Sequence, residues 1–500
     1  MVEGLLRQAE WVRGEATLGL DAATQSAQGQ YFTPERAAAL IASLPSLSDA
    51  PVIRVLDPGA GSGMLTAAII ERLCRESRTG RIEVTAVEYD KSLIPALRRT
   101  AKLCQLWGKN RGIEVCVQVV CGDVILLQTG LDPELGTGFD LVVMNPPYRK
   151  LGSASWQRRV LKPLGWEVTN LYSAFLALGV ESLRPGGQLV AITPRSFFNG
   201  PYFGQFRKRL LRQVVFNRVH TFESRSTVFA DTGVLQENVV FSATKGGALG
   251  AVVITSSHGH TDEITARTIT YNELISPDDP QEFIRITTDD TDDEAVRKLT
   301  SLPASLTALG LKVSTGKVVD FRARKNLHDS PLPGSPPLIY PGNLRRGEVH
   351  WPRQIGKAQA FRIVDEGDRK ALLPNGYYVL VKRFSAKEER RRIVAAVWDP
   401  TRYQVEDVAF ENHLNVFHCG GTGLERHLAW GLCLWLNSSV VDRYFRTFSG
   451  HTQVNATDLR SLVYPDEATL HSLGSAIDHL PDQDELDRLV ADYTWEQVAA

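Results

Sequence analysis

The stretch Asp140-Leu-Val-Val-Met-Asn145-Pro146-Pro147-Tyr148 decides how the rest of the chain is read. Its apolar, β-prone run stops abruptly at Asn-Pro-Pro-aromatic, the pattern of a buried parallel strand closed by a turn. Two prolines donate nothing to a ladder and stiffen the backbone where the strand ends. In open α/β sheets that carboxyl edge is where ligands bind. One reading is only a stiff turn. The other is a platform carrying a side-chain amide, free carbonyls and an aromatic face. An amino group conjugated to a ring is a weak nucleophile, because its lone pair is delocalised. The Asn145 side-chain carbonyl and the Pro146 backbone carbonyl, set around its N–H bonds, would draw it toward tetrahedral geometry and stabilise the charge of attack.

Toward the amino terminus, a strand over 52–56 runs into Asp57-Pro58-Gly59-Ala60-Gly61-Ser62-Gly63, and a helix follows over 64–74. Glycines permit a tight turn and close approach of a ligand, and the helix N-terminus attracts negative charge. Glycines at 59, 61 and 63 lack the GxGxxG spacing of a dinucleotide fingerprint. A second strand, 82–87, ends in Glu88, placed to accept from ribose hydroxyls. A third, 115–120, ends in Cys121-Gly122-Asp123. Ahead of them all stands Tyr31-Phe32-Thr33-Pro34-Glu35, where Thr33 is expected as N-cap and Pro34 at N1 of an alanine-rich helix. Residues 1–28 read as a polar helical lead-in.

In this order, the motifs resemble the amino-methyltransferases of DNA, specifically the gamma-class adenine-N6 enzymes. Their Phe-x-Pro segment comes first, then the glycine loop, then Asn-Pro-Pro-Tyr, with target recognition at the carboxyl end. Asn170-Leu-Tyr172-Ser-Ala-Phe175, and Leu183-Arg-Pro-Gly-Gly187 before a strand over 188–193, extend the likeness. Most of the chain resembles type II modification methylases of the PstI/BsuBI kind. The resemblance implies an α/β, class I (Rossmann-like) S-adenosylmethionine-dependent domain plus a mixed α+β C-terminal DNA-recognition domain. It implies cofactor contacts at Tyr31, Thr33, Pro34, Asp57, Gly59, Gly61, Gly63, Glu88, Asp123 and Phe175. Asn145, Pro146, Pro147 and Tyr148 would be catalytic, with Tyr148 and Phe229 stacking on a flipped base. No metal and no covalent intermediate are expected.

The net charge of −1 hides an uneven distribution. Residues 261–295 hold eleven Asp/Glu against two Lys/Arg, 311–465 hold twenty-three Lys/Arg against fifteen Asp/Glu, and 466–500 hold nine Asp/Glu against one Arg. The implied organisation is a lead-in to 28, a catalytic domain over 29–285, an acidic linker over 286–310, a recognition domain over 311–465 and an acidic helical tail. A basic block is the electrostatic footprint of a nucleic-acid partner, and equally a solvated surface. Within it, Arg345, Arg346, Lys382, Arg383, Arg391, Arg392, His451, Gln453 and Asn455 are the candidates for DNA contact.

Composition narrows the classes further. No run approaches the roughly 18 apolar residues of a membrane span. The six cysteines form no CxxC or Cys/His cluster, so structural zinc and a disulfide framework are not expected. A cytoplasmic protein, monomeric or weakly dimeric, fits. Double-stranded DNA is the expected partner, and a cognate restriction endonuclease is a further one that the resemblance allows. Cytosine-C5 chemistry needs a cysteine beside a proline, and no Pro-Cys dipeptide occurs. Methylation of cytosine N4, ribosomal RNA or protein glutamine stays open as a rival, as does a DNA-binding specificity module without catalysis.

Overall fold

The strand expected at 140–144 forms as part of a nine-stranded sheet. Its members are β1 (Val52–Asp57), β2 (Arg81–Glu88), β3 (Glu114–Cys121), β4 (Phe139–Met144), β5 (Leu183–Pro194), β6 (Val214–Phe222), β7 (Asn238–Lys245), β8 (Val252–Ser257) and β9 (Thr265–Ile269). Their spatial order is β3-β2-β1-β4-β5-β7-β6-β8-β9. The first five of that order run parallel, and β7 enters antiparallel to both β5 and β6. This is the Rossmann-like α/β class expected. The computed structural model describes residues 4–18, 32–129, 135–222, 237–257, 264–385, 388–449 and 452–496. They fall into two compact units, Met1–Thr288 and Asp289–Ala500.

Burial on both faces explains why β4 is continuously apolar rather than alternating. Leu141 and Val143 pack into a cluster with Leu5, Ile41, Leu65 and Ile69, while Val142 and Met144 point into another with Leu176, Val180 and Phe241. The first cluster is covered by α1 (Leu5–Thr17), α2 (Glu35–Ser43) and α3 (Met64–Glu76), and α4 (Ile94–Lys109) packs against α1 and α3. The second is covered by α5 (Val124–Thr129), α6 (Trp156–Leu161) and α7 (Leu171–Ser182). Each such side chain contributes roughly 1.5–3 kcal/mol of transfer free energy. The lead-in is thus more than a polar preface: α1 buries Leu5, Leu6 and Ala9 against the core on this face of the sheet.

Chain order along the sheet reverses at β1, which lies between β2 and β4. A crevice opens at such a switch point, outside the carboxyl ends of the strands. There the chain leaves β1 at Asp57, β2 at Glu88, β3 at Cys121 and β4 at Met144. Topology therefore brings four separate motifs to one edge.

The second unit is α+β. A six-stranded sheet runs Lys312–Thr315, Leu414–His418, Tyr378–Lys382, Ala395–Trp398, Glu348–Val349, Leu344–Arg345. Its strands are short, and its core holds Tyr378, Leu380, Trp398, Phe410 and Val416. Helices Arg426–Leu436 and Glu467–Ala476 cross in backbone contact, since a Cβ on Gly431 would lie 1.8 Å from the Leu470 carbonyl oxygen. The expected acidic connector belongs to this unit. Asp290–Thr300 is a helix whose acidic first turn suits the positive end of its dipole, and Arg443 pairs with Asp289 and Asp292. Ala295 and Leu299 on its inner face are buried. The acidic tail likewise forms helices Glu467–Ala476 and Gln483–Ala491, which bury Leu470, Leu473, Leu486 and Val490.

Candidate active site

A cavity of about 420 Å³ lies at the carboxyl edge of β1–β4. Its wall includes Gly59, Ala60, Gly61 and Ser62 from the loop after β1, Glu88 from β2, Asp123 after β3, Asn145 and Pro147 after β4, and Phe175 from α7. Phe32 and Thr33 close one side. Phe32 belongs to the Phe-x-Pro segment already singled out, whereas sequence reasoning passed over Arg149, Trp156 and Gln157, which also line the cavity. A lone aromatic or polar residue between motifs carries no periodic signal, so nothing in the sequence distinguishes these three.

The glycines divide by task. Gly59 and Gly61 front the cavity, where a Cβ would meet Phe175 at 3.3 Å and Phe32 at 3.8 Å. Gly61 also has φ +55°, the left-handed region that favours glycine. Gly63 is outside the wall: it starts α3 at φ +90°, and a Cβ there would press on Thr100 at 2.9 Å. Its requirement is helix packing rather than ligand approach.

The acids divide as well. Glu88 lies on the wall and braces the loop, accepting from Gly61 N at 2.8 Å and Asp90 N at 2.7 Å. Burial raises its pKa. Asp123 accepts from Ile125 N at 2.9 Å at the start of α5. Asp57 is fully buried and absent from the wall. The Thr66 hydroxyl donates to its Oδ2 at 2.7 Å, and its Oδ1 has no partner. Burial pushes this carboxyl up to about 7, against the smaller opposing effect of Thr66.

The Asn-Pro-Pro-Tyr segment differs from the open platform expected. Asn145 reaches the cavity, but Tyr148 is only 8% exposed and packs in the core, edge-on to Tyr172 at 6.3 Å. Its hydroxyl donates to Asn145 Oδ1 at 3.2 Å. Pro146 is buried too. A second departure concerns Thr33. Pro34, not Thr33, occupies the N-cap of α2, with no side-chain capping bond. From one residue further back, the Thr33 hydroxyl accepts from Asn145 Nδ2 at 3.0 Å instead. Tyr31 and Phe229 lie outside the described residues.

Comparison with known proteins decides the family. Residues 119–229 match the family described as the Eco57I restriction-modification methylase. Type II methyltransferase M.PstI of Providencia stuartii is 38% identical over 475 residues, spanning 93% of this chain and 92% of that protein. Type II methyltransferase M.BsuBI of Bacillus subtilis is 41% identical over 462 residues, 90% of each. This chain belongs to the type II methyltransferases. The type IIL restriction-modification enzyme MmeI shares the fold, with a TM-score of 0.53 over 98% of this chain and 74% of that one, at 13% identity.

In the second unit of this methyltransferase, the residues chosen for their charge or hydrogen-bonding capacity take unlike positions. Arg345 and Arg346 are exposed at a tight hairpin between Leu344–Arg345 and Glu348–Val349. Lys382, Arg383, Arg391 and Gln453 are half-buried. The Arg383 guanidinium donates to the Asn412 carbonyl at 3.2 Å and to Gln453 Oε1 at 3.4 Å, so two candidates meet. Arg392 is corrected outright: it is 1% exposed, its guanidinium lies over Phe445 at 5.4 Å and donates to Ser449. A guanidinium inside the unit has no route to a phosphate. Asn455 is a helix cap, exchanging bonds with Asp458 at the start of Ala456–Arg460. His451 lies outside the described residues. His413 and Phe384, which sequence reasoning did not single out, meet beside Arg383 with ring centroids 4.9 Å apart and planes tilted by 48°, and His413 Nδ1 bonds the buried Glu411 at 2.6 Å.

Among the described residues, one group could hold a metal: Glu425, His427 and His471, whose ligand atoms lie within 4.8 Å of one another. All three are substantially exposed, and Glu425 already caps helix Arg426–Leu436 through Leu428 N at 2.9 Å. Among the described residues no helix is long and apolar enough to cross a membrane.

Proposed function

We propose that this chain transfers a methyl group from S-adenosylmethionine to N6 of an adenine in double-stranded DNA, as the modification half of a restriction-modification system. The carrying observation is the convergence of the glycine loop, Glu88, Asp123, Phe175 and Asn145 on one cavity. The cofactor is tested against that cavity by what its residues offer. Gly59 and Gly61 leave the backbone bare where a Cβ would fill the space before Phe175 and Phe32. Glu88, on the wall, retains lone pairs for ribose hydroxyls. These residues fit. When bound, the cofactor supplies an electrophilic sulfonium methyl.

The chain's own part is to hold the acceptor. A stacked base cannot reach a strand-end cavity, so the target must leave the duplex at a cost of a few kcal/mol. Stacking on an aromatic side chain offsets about 1–3 kcal/mol of that. Tyr148 is proposed to present its ring to the base from the core cluster, held there with its hydroxyl on Asn145 Oδ1. Trp156, half-buried on the cavity wall, offers a second aromatic. Asn145 Oδ1 and the Pro146 carbonyl then accept from the amine. They stabilise the positive charge that grows on nitrogen during attack.

We assign catalysis to 29–285 and target recognition to 311–465, where Arg345, Arg346, Lys382, Arg383 and Arg391 are the cations proposed to meet phosphates. The test is incubation of the purified chain with methyl-labelled S-adenosylmethionine and unmethylated genomic DNA, followed by nucleoside analysis. Label in N6-methyladenosine is expected. Label in N4-methylcytosine, or only in RNA or protein, overturns the assignment.

A further inference from the structure

We propose that Thr33 is a positioning residue for the Asn145 amide, acting on the transfer step rather than on cofactor affinity; this rests on the proposed role of Asn145 as acceptor. A primary amide turns about a soft, roughly two-fold torsion, and its oxygen and nitrogen ends are nearly the same size. Sterics alone therefore do not decide which end faces the incoming amine. Hydrogen-bond partners must. Asn145 is gripped at both ends by buried hydroxyls: Thr33, 7% exposed, accepts from Nδ2 at 3.0 Å, and Tyr148, 8% exposed, donates to Oδ1 at 3.2 Å.

The Thr33 contact comes at the expense of local order. A threonine just before Pro-Glu ordinarily caps the helix that follows. Here Pro34 occupies the N-cap and α2 begins without a side-chain cap. The Thr33 hydroxyl is spent on a residue 112 positions away. Local rules are broken in this way chiefly at functional sites. Phe32, the preceding residue, fronts Gly61 of the cofactor loop. The two neighbours therefore touch two parts of the site, Phe32 the glycine loop and Thr33 the amide.

Three variants of the full chain separate these roles: Thr33→Val, which keeps the shape and loses the hydroxyl, Thr33→Ser, which keeps the hydroxyl, and Asn145→Ala. S-adenosylmethionine affinity is read by calorimetry, and kcat from methyl incorporation into unmethylated genomic DNA at saturating cofactor. Thr33→Val is expected to lower kcat 10- to 100-fold with cofactor affinity within twofold of the parent. Thr33→Ser should restore at least a third of the parental kcat. Two results overturn the proposal: a Thr33→Val variant weakened in cofactor affinity with kcat intact, or a Thr33→Ser variant as slow as Thr33→Val. If the parent chain labels an acceptor other than adenine, the adenine assignment falls, while the valine-to-serine ratio measured on that acceptor still decides the role of Thr33. A parent that labels no acceptor brings down both.

Discussion

The edge of the nine-stranded sheet and the second unit's candidate DNA contacts answer the same kind of question differently. At the edge, residues picked from separate motifs between Thr33 and Phe175 meet in one cavity. In the second unit, residues picked for charge or hydrogen bonding scatter among unrelated duties. Arg392 is core, Asn455 is a cap, Arg383 is tied to Gln453 and Asn412, and Arg345 and Arg346 are exposed at a turn. Strand ends are gathered by topology, so a motif at a strand end inherits a location. A charge run inherits none.

The largest effect that can break this contrast is at the edge. Asn145→Ala should lower kcat by about 10²–10³-fold, the usual cost of deleting one preorganised electrostatic contact, with S-adenosylmethionine affinity near that of the parent. A variant that keeps most of its activity would return the Asn-Pro-Pro-Tyr segment to the status of a stiff turn. The segment's chemistry was legible because it depends on residue type and strand position. Its packing was not: nothing in the run from Asp140 to Tyr148 reveals that Tyr148 turns inward against Tyr172. Nor does it reveal that Thr33 gives up its cap for Asn145. Both are long-range contacts, invisible to periodicity and to local turn chemistry.

Asp57 sharpens the contrast from within the first unit, because it is an acid at a strand end that misses the cavity wall. Its folded pKa of about 7 lies above the ordinary value of 3.8. Below about pH 4 both folded and unfolded chains hold the proton. Between about 4 and 7 only the folded chain does, so stability falls as pH rises through that window and stays lower above it. Asp57→Asn carries no such burden and still offers Thr66 an acceptor. Urea unfolding should therefore show the variant gaining on the parent by a few kcal/mol from pH 4 to pH 7, then level. A difference that does not vary with pH would mean that Asp57 is ionised in the folded protein.

In the second unit the prediction is a separation of stability from binding. Arg392→Ala should cost about 2 kcal/mol of stability, from a lost charged hydrogen bond and lost packing on Phe445. Its effect on DNA affinity should be no larger than that loss of fold explains. A stable Arg392→Ala protein with weakened DNA binding would restore Arg392 to the interface.

The smallest expected effect is the most discriminating, because it asks one residue to move two properties in opposite directions. Arg346 sits at φ +46° and Gly347 at φ +78°, the two central positions of a hairpin that pairs Arg345 with Glu348. Positive φ at both positions is the geometry of a two-residue turn that favours Asn-Gly, and an arginine there is strained. Arg346→Gly removes the strain and should stabilise the chain by roughly 0.5–1 kcal/mol. It also removes an exposed cation from the hairpin tip. If that cation neutralises a phosphate, DNA affinity falls at low salt and the slope of log affinity against log salt shrinks by about 1. A gain in stability with an unchanged salt slope would show that the turn tolerates arginine for no reason connected with DNA. The exposed Arg345-Arg346 pair would then be a solvated surface.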